Sequence, residues 1–330
     1  MSGPRTAPAA AGWTVGADVG GTKIVAGLVA PDGSIVRRHR QPVAPSLQPD
    51  EVLAGLAECI RAVAESGDAR ASSVGVGVAA QVERASGSVV HAPNLRWRDY
   101  PLRDRLQAAL GLPVVVENDA RTITLGEWTY GEGAGNDNLL CLVIGTGVGG
   151  GAVVDGRLLE GAHHSTGEIG HFTFVHGGRP CHCPNVGCWE AYVSGWAIAE
   201  RFQQLAREDP TAAGALLGPG GSVGHLDPLA LEKAAEHGHP LASRFLRRLA
   251  EEFASGVVGL VNAFNPDLVI VGGKIPEGYP EFIPTAQRAV NERCQPPAAH
   301  ARVRASRLGA DAGILGAAEL VRRRTVPGAA

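Results

Sequence analysis

The chain has 330 residues, of which 45% are apolar and 19% charged, with 45 Gly, 22 Pro and a formal net charge of −3. This length favours two domains and excludes a small disulfide scaffold, while the composition excludes disorder and, because the glycines follow no three-residue period, collagen. The small negative charge gives no overall attraction to nucleic acid or an anionic membrane, so we expect small molecules as partners instead.

The first twelve residues are predicted to be a disordered arm, because residues 4–12 are small, contain proline and show no periodicity. The sequence has no run of about 18 apolar residues that would span a bilayer, and its start has no apolar core of signal-peptide type. We therefore expect a cytoplasmic protein, in which cysteines stay reduced. The close trio Cys181, Cys183 and Cys188 then needs an explanation other than disulfides.

The first block of predicted elements forms a mixed sheet with helices, in the order βββαβαβ. Its strands are short β-rich runs, and its helices repeat apolar residues at helical spacing. Pro31-Asp32-Gly33 is a tight-turn signature between the second and third strands. The predicted elements are strands at 14–19, 24–29, 34–37, 73–79 and 113–116 and helices at 50–65 and 102–110.

A second block begins near Asn138 and repeats the start of the first. Residues 15–36 and 142–159 share the order strand, glycine turn, strand, Asp-Gly, strand, which indicates one internal duplication. A chance likeness of two hairpins is the alternative. Two such α/β units would form a cleft, where ligands prefer to bind. The other predicted elements are helices at 120–128, 196–207, 228–263, 282–292 and 312–323 and strands at 139–144, 152–154 and 268–271.

Two glycine-rich turns join strand to strand at corresponding places in the two blocks. Without Cβ atoms, their backbone N–H groups can approach an anion closely, so the pair predicts a phosphate clamp; two hairpins without a ligand are the alternative. Asp18 precedes the first turn, where a carboxylate is favourable if Mg²⁺ lies between it and the phosphate. The turns contain Gly20, Gly21, Thr22 and Lys23 in the first and Gly145, Thr146, Gly147, Val148, Gly149 and Gly150 in the second.

Neither of the common nucleotide-binding motifs is present. The sequence lacks the P-loop pattern, and both glycine turns join strands to strands rather than a strand to a helix. This excludes a P-loop NTPase and a Rossmann dinucleotide site.

A polar pair follows the buried strand predicted at 113–116. Asn118 and Asp119 come directly before a predicted helix, which is where open α/β sheets present catalytic groups. Asp119 is a candidate base that accepts the proton of a substrate hydroxyl as that hydroxyl attacks phosphorus. A simple helix cap is the alternative.

Three cysteines within eight residues supply soft metal ligands, and a neutral imidazole would complete a closed, structural zinc site. Loop thiols without a metal are the alternative. Glu168, His171 and Glu190 surround this segment and could bind a polyhydroxy ligand, or the glutamates are surface acids. Spacing does not choose the fourth metal ligand among the nearby histidines, which are His163, His164, His171, His176 and His182.

Five motifs follow one another along the chain: GADVGGTK at 16–23, END at 117–119, GTGVGGG at 145–151, EIGH at 168–171 and CHCPNVGCWE at 181–190. In this order and spacing they resemble the ROK family (repressors, open reading frames, kinases) over residues 14–323. The resemblance implies an actin-like, ribonuclease-H-like α/β sugar kinase fold, with two duplicated domains around a cleft. It also implies ATP, Mg²⁺ and structural Zn²⁺, a homodimer or homotetramer, and ATP-dependent phosphorylation of a hexose, with glucose as the expected acceptor.

The resemblance further implies that the last helix returns to the first domain. The expected first domain is then 13–117 plus 311–330, and the expected second domain is 118–310 with the zinc loop.

Roles carried over by motif position make Asp119 the catalytic base and direct Asp18 toward Mg²⁺ and the phosphates. His171 would hold zinc through one ring nitrogen and a sugar hydroxyl through the other. The implied nucleotide contacts are Asp18, Gly20, Gly21, Thr22, Lys23, Gly145, Thr146, Gly147, Gly149, Gly150, Gly272 and Gly273. The implied sugar ligands are Asn94, Asn118, Asp119, Glu168, His171 and Glu190, and the implied metal ligands are His171, Cys181, Cys183 and Cys188.

The sequence departs from the family pattern at Ala80-Gln81 near the sugar, at Arg121 after the END motif, at Pro184 in the zinc loop and at Lys274 near the adenosine site. These changes leave phosphoryl transfer intact and keep other acceptors open: N-acetylmannosamine, N-acetylglucosamine, fructose or a sugar-like cyclitol. A sugar-sensing regulator without activity is the alternative of another class. Such regulators carry a helix-turn-helix ahead of the kinase-like body, and about a dozen residues precede the first predicted strand here.

Overall fold

The computed structural model describes residues 12–217 and 222–325. Apart from Gly12, the arm predicted at 1–12 lies outside the described residues, as does the end of the predicted first domain beyond residue 325. The chain divides into two compact units. The first contains the residues up to 137, 151–167 and those from 307 onward, and the second contains 138–150 and 168–306.

The elements before residue 137 follow the predicted order, with two small additional sheets. They are β1 (Thr14–Val19), β2 (Lys23–Val29), β3 (Ile35–Pro42), α1 (Pro49–Arg61), β4 (Glu65–Ser66), β5 (Ala69–Arg70), β6 (Ser73–Val78), β7 (Gln81–Glu83), β8 (Ser88–Ala92), β9 (Trp97–Tyr100), α2 (Leu102–Leu110), β10 (Val114–Asn118) and α3 (Asp119–Tyr130).

The elements after residue 137 are mostly helices set between the strands of a second sheet. They are β11 (Leu139–Ile144), β12 (Val148–Val154), β13 (Arg157–Leu158), α4 (Glu190–Val193), α5 (Gly195–Glu208), α6 (Pro210–Leu217), α7 (Pro228–Glu236), α8 (Pro240–Phe264), β14 (Leu268–Gly272), α9 (Lys274–Gly278), α10 (Phe282–Arg293), β15 (Arg302–Ala305) and α11 (Asp311–Thr325).

The first sheet has the strand order β10-β6-β1-β2-β3. Strand β1 is antiparallel to β2 and parallel to β6, which is parallel to β10. The pairs Val19–Val78 and Val78–Asn118 are in register, so three parallel strands end at the same edge. This edge of an α/β sheet is where ligands bind, and it carries the predicted Asp18 and Asp119.

The second sheet has the strand order β13-β12-β11-β14-β15, which is the same order as in the first sheet. In each sheet the strands lie in the order third, second, first, fourth, fifth. The first, fourth and fifth strands of each are parallel. The duplication expected from residues 15–36 and 142–159 is therefore confirmed in the sheet topology.

The last helix returns to the first unit. A Cβ on Gly316 of α11 would overlap the carbonyl oxygen of Thr122 in α3, and one on Gly126 of α3 would overlap the carbonyl oxygen of Ala312. The two helices therefore pack backbone to backbone, which a larger residue would prevent. Tyr130 Oη donates to Glu319 Oε2 at 2.9 Å and ties their far ends together.

Several boundaries differ from the sequence prediction. Residues 118–137 and 307–310 group with the first unit rather than the second, because α3 packs on α11. Residues 151–167 also group with the first unit, since Gly151 lies against Thr124 of α3 and Arg121 binds the His164 carbonyl. The helix predicted at 228–263 is two helices, since Gly238 adopts a φ of 73° and Pro240 starts the second one. Strand β12 begins at Val148, inside the turn predicted to end at Gly151.

Across residues 12–217 and 222–325, no helix combines the length and the apolar character needed to cross a membrane.

Candidate active site and metal centre

Asp119 is the first residue of α3 and follows the end of β10. Asn118 is the cap of this helix, because its Oδ1 accepts a hydrogen bond from the Arg121 N–H at 3.1 Å. Asp119 Oδ1 accepts from Asn118 Nδ2 at 3.1 Å and from the Ala120 N–H at 2.8 Å. Capping thus falls to Asn118, and Asp119 is an oriented carboxylate beside it.

Asp18 lies next to Asp119 across the sheet. It pairs in register with Gly77 of β6, and a Cβ on Gly77 would lie 3.4 Å from the Asp119 Cα. Burial raises the pKa of the Asp18 carboxyl to about 7, and the nearby Asp119 adds to this rise while Lys23 opposes it. Two carboxylates in such proximity favour a cation between or beside them.

The first glycine turn is closed by its own hairpin. The Gly20 N–H donates to the Lys23 carbonyl at 3.1 Å, and a Cβ on Gly21 would lie 3.3 Å from the Asn94 Cβ. Asn94 is exposed, as is Thr22 in the turn. The structure therefore brings Asn94 beside the turn, and Lys23 begins β2 there.

The second glycine turn is shorter than predicted. Its Gly145 N–H donates to the Gly147 carbonyl at 3.0 Å, whereas Gly149 and Gly150 belong to β12. The Val148 N–H donates to Glu190 Oε2 at 2.7 Å, so this amide already has an anionic partner. The N–H groups most suited to a phosphate are then those of Thr146 and Gly147, which lie between the two strands.

Gly272 and Gly273 end β14 and precede α9. Gly273 has a φ of 100°, and a Cβ there would lie 2.8 Å from the Ile144 backbone nitrogen. Only glycine meets both requirements without strain. The turn at Gly272 and Gly273 therefore lies against the end of β11, which directly precedes the second glycine turn.

The predicted sugar ligands of the second unit differ in exposure. Glu168 is exposed and its Oε2 lies 3.9 Å from His171 Nε2. Glu190 is only 8% exposed, with its Oε1 accepting from Trp196 Nε1 at 3.3 Å. His171 thus presents Nε2 toward Glu168, which leaves its other ring nitrogen for the cysteines.

The four predicted metal ligands form one cluster. The ligand atoms of His171, Cys181, Cys183 and Cys188 all lie within 4.8 Å of one another. Cys181 Sγ is 3.7 Å from His171 Nδ1, and Cys183 Sγ is 3.6 Å from Cys188 Sγ. A tetrahedral zinc with bonds of about 2.3 Å to sulfur separates its sulfurs by about 3.8 Å, so the cluster fits that ion.

The surroundings of the cluster also suit a metal. Burial and the neighbouring thiols raise the pKa of Cys181 to about 12, so a cation is needed to hold these groups as thiolates. Asn185 donates to Cys183 Sγ from its backbone at 3.4 Å and to Cys188 Sγ from Nδ2 at 3.5 Å. Such N–H donors orient sulfur ligands and balance their charge.

Arg121, one of the departures from the family pattern, is buried and only 1% exposed. Its Nη2 lies 2.9 Å from Glu117 Oε2, and its Nη1 donates to the His164 carbonyl at 2.5 Å. It therefore holds residues around 164 against the first turn of α3. Glu117 and Arg121 are four positions apart, a spacing that brings opposite charges together within a helix. Here Glu117 lies at the end of β10 and Arg121 in α3, so the spacing alone did not predict the pair.

The predicted site residues are thus distributed over the two units. Those in the first unit are Asp18, Gly20, Gly21, Thr22, Lys23, Asn94, Asn118 and Asp119. Those in the second unit are Gly145, Thr146, Gly147, Gly149, Gly150, Glu168, His171, Cys181, Cys183, Cys188, Glu190, Gly272 and Gly273.

Comparison with known proteins agrees with the motifs and the fold. The sequence profile of the ROK family matches residues 14–324. The chain belongs to the ROK family. It is 35% identical over 317 residues to a glucokinase of Streptomyces coelicolor, covering 94% of this chain and 98% of that one. A glucokinase of Thermotoga maritima is 34% identical, with 94% and 97% covered.

Solved ROK structures share the fold. A ROK family glucokinase from Streptomyces griseus, in complex with glucose and AMPPNP, superposes with a TM-score of 0.82 at 35% identity, covering 94% of this chain and 99% of that one. A ROK family transcriptional regulator superposes with a TM-score of 0.80 at 25% identity, covering 94% and 78%. The expected actin-like, ribonuclease-H-like α/β fold of sugar kinases is therefore confirmed.

Proposed function

We propose that this ROK protein is an ATP-dependent hexose kinase that converts glucose to glucose 6-phosphate. The observation that carries the proposal is the oriented Asp119 carboxylate beside Asp18, at the sheet edge that also holds the first glycine turn. The likeness to glucokinases over nearly the whole chain supports glucose as the acceptor.

Asp119 acts as the general base. Asn118 Nδ2 and the Ala120 N–H hold one carboxylate oxygen, so the group keeps its direction as it accepts the proton of the attacking hydroxyl. In phosphoryl transfer such a base positions the nucleophile, and most of the acceleration comes from alignment and charge stabilisation.

Asp18 and the first glycine turn serve the phosphates. Asp18 would hold Mg²⁺ near the phosphates, and the ion would supply positive charge that offsets the charge developing during transfer. Asp18 suits that ion because burial and the neighbouring Asp119 raise its pKa, so a nearby cation would stabilise its charged form. Lys23 begins the strand beside this turn and contributes positive charge near the same place.

The predicted ligands of the sugar hydroxyls are Glu168, His171 and Glu190 of the second unit and Asn94 of the first. The Asn118 amide already donates to Ala80 O at 3.2 Å and to Asp119, so its main contribution is to orient the base. Its direct contact with sugar stays a prediction, as do the contacts of Gly149 and Gly150 with the nucleotide.

The Cys/His cluster holds a structural zinc ion. His171, Cys181, Cys183 and Cys188 would be its four ligands, which leaves no open coordination position for catalysis. His171 offers Nδ1 to the cluster and Nε2 to the side of Glu168, so the metal fixes the ring of a sugar ligand. The homo-oligomer and the cytoplasmic location stay predictions.

Replacement of the base tests the proposal. Asp119→Asn keeps the shape of the side chain but not its basicity, so turnover should fall by at least about 10²-fold while glucose affinity is retained. ADP release measures turnover and calorimetry measures glucose binding. The exposed Asp68→Asn is the matched control and should behave as wild type. Activity of Asp119→Asn within tenfold of wild type would refute the role of the base.

A panel of acceptors separates the alternatives. Glucose, fructose, N-acetylmannosamine, N-acetylglucosamine and a cyclitol are compared by ADP release, and a higher kcat/KM on any other acceptor would replace glucose. A sugar-sensing regulator is the second candidate, because a xylose repressor of Bacillus subtilis is 28% identical over 86% of this chain. Tight sugar binding without turnover on any acceptor would favour that reading.

A further inference from the structure

The second glycine turn is hydrogen-bonded to the first residues of α5. The Gly195 N–H donates to the Gly145 carbonyl at 2.8 Å, and the Trp196 N–H donates to the Thr146 carbonyl at 3.3 Å. We propose that Gly195 and Trp196 are positioning residues that hold this turn in its phosphate-binding shape. The inference rests on the proposed function, in which the turn binds ATP.

The direction of the turn's amides follows from these two bonds. In a planar trans peptide the C=O of one residue and the N–H of the next point in opposite directions. Fixing the Gly145 and Thr146 carbonyls toward α5 therefore aims the N–H groups of Thr146 and Gly147 away from it. A concave pair of N–H groups aimed in one direction is what an anionic phosphate requires.

Glu190 fixes the other end of the turn. Its Oε2 accepts from the Val148 N–H at 2.7 Å, and a Cβ on Gly147 would lie 2.7 Å from the same oxygen. Trp196 Nε1 donates to Glu190 Oε1 at 3.3 Å and so holds the carboxylate in this position. The two ends of the turn are thus braced by residues of one short segment.

Gly195 has no room for a side chain. A Cβ there would lie 2.8 Å from the Gly145 carbonyl oxygen, the atom that its own N–H binds. Gly195 is buried at the start of α5, where Ser194 Oγ caps the helix by accepting from the Ala197 N–H at 3.3 Å. Because the helix start is fixed, an added methyl group displaces the turn.

The brace is also packed against the loop of the Cys/His cluster. The Trp196 ring stacks on the His182 ring with their centroids 3.9 Å apart and an angle of 20° between them. The indole therefore has two separable parts, a face that packs on His182 and an N–H that serves Glu190. Phenylalanine preserves the first and removes the second.

The test compares Gly195→Ala, Trp196→Phe and the control Gly259→Ala, a helical glycine whose Cβ meets nothing within 4 Å. Gly195→Ala should raise the KM for ATP about tenfold, the effect of losing one good hydrogen bond, and leave the KM for glucose within about twofold. Trp196→Phe should raise the KM for ATP by about threefold. Binding of AMPPNP by calorimetry should weaken by the same factors, and Gly259→Ala should match wild type.

An unchanged KM for ATP in Gly195→Ala would overturn the inference, as would an equal rise in both KM values with a lowered unfolding temperature, since a merely structural role predicts that. If Gly195→Ala fails to fold, Trp196→Phe decides in its place. The wild-type protein distinguishes failure of the proposed function from failure of this inference. If the wild type binds no ATP, both are refuted. An active wild type with insensitive variants refutes the inference alone.

Discussion

The two glycine turns occupy the same position in two sheets of the same strand order, but they are supported differently. The first is closed by its own hairpin bond from Gly20 to Lys23, with Asn94 packed beside it. The second is held by a separate segment that reaches it through Glu190, Gly195 and Trp196. That segment belongs to the long connection between β13 and β14, where the first unit has a single helix and a short hairpin. The two turns therefore have the same position in the duplicated sheets, but the second is stabilised by residues of the long connection between β13 and β14.

Loss of the metal is expected to have the largest effect and to act on the second turn. Cys183→Ser removes one of the four proposed zinc ligands, so zinc content should fall well below one ion per chain and the unfolding temperature should drop by several degrees. Glu190, Gly195 and Trp196, which support the second turn, follow Cys188 closely in the chain. Affinity for AMPPNP should therefore fall in the same variant. Metal analysis, thermal unfolding and calorimetry measure the three effects.

The matched control for metal loss is Cys59→Ala, which replaces a buried cysteine outside the cluster. This variant should bind as much zinc as the wild type. Full AMPPNP affinity in a zinc-free variant would show that the second turn does not depend on the metal loop.

Alanine substitutions in the two glycine turns should have effects of intermediate size on the free energy of unfolding, and they test whether the turns are supported differently. Gly147→Ala places a Cβ 2.7 Å from Glu190 Oε2, so it should lower the free energy of unfolding by about 1–3 kcal/mol, as overpacking does. Gly20→Ala meets its nearest atom at 3.8 Å and should change it by less than about 0.5 kcal/mol. Urea unfolding without ligands measures both. The reverse order of the two variants would contradict the difference in support.

The smallest effect concerns Asp18 beside the first turn, and it depends on pH. The folded carboxyl has a pKa of about 7, whereas in the unfolded chain it ionises near its ordinary value. Between these values the unfolded state has released the proton and the folded state retains it, so stability falls as pH rises through this window. Asp18→Asn should therefore stabilise the ligand-free protein more at pH 8 than at pH 5, by on the order of 1 kcal/mol after screening.

Urea unfolding at the two pH values in Mg²⁺-free buffer measures this difference. Asp32→Asn is the control, because the Ser34 hydroxyl lowers the pKa of this exposed carboxyl and Asp32 is therefore ionised in both states at both pH values, so its substitution should change stability equally at pH 5 and pH 8. An equal gain for Asp18→Asn at both pH values would contradict the raised pKa of Asp18.

Much of the fold could be predicted because short apolar runs and glycine turns are local signals. The strands at 14–19 and 139–144 and the helix at 102–110 have the predicted bounds. The family and the ATP-dependent activity followed from five motifs, and the comparisons agree. The four cluster residues were also named from the sequence, and the structure brings their ligand atoms together.

The rest depended on contacts between residues distant in sequence. Nothing local shows that Glu190 binds the Val148 N–H, since 42 positions separate them. The preference for Asn118 over Asp119 as the helix cap is set by backbone angles at the end of β10, which both residue types allow. The burial of Arg121 depends equally on Glu117 and on the His164 carbonyl.

The return of α11 to the first unit has a consequence for synthesis on the ribosome. A Cβ on Gly313 of α11 would lie 3.1 Å from the Asp18 Cγ, so this helix forms one wall around that carboxylate. Asp18 lies in β1, the first of the described elements, whereas Gly313 lies in α11, the last of them. The second unit has all its residues by position 306, whereas the first also needs residues from 307 onward. A chain that lacks α11 would therefore carry Asp119 without the wall beside Asp18.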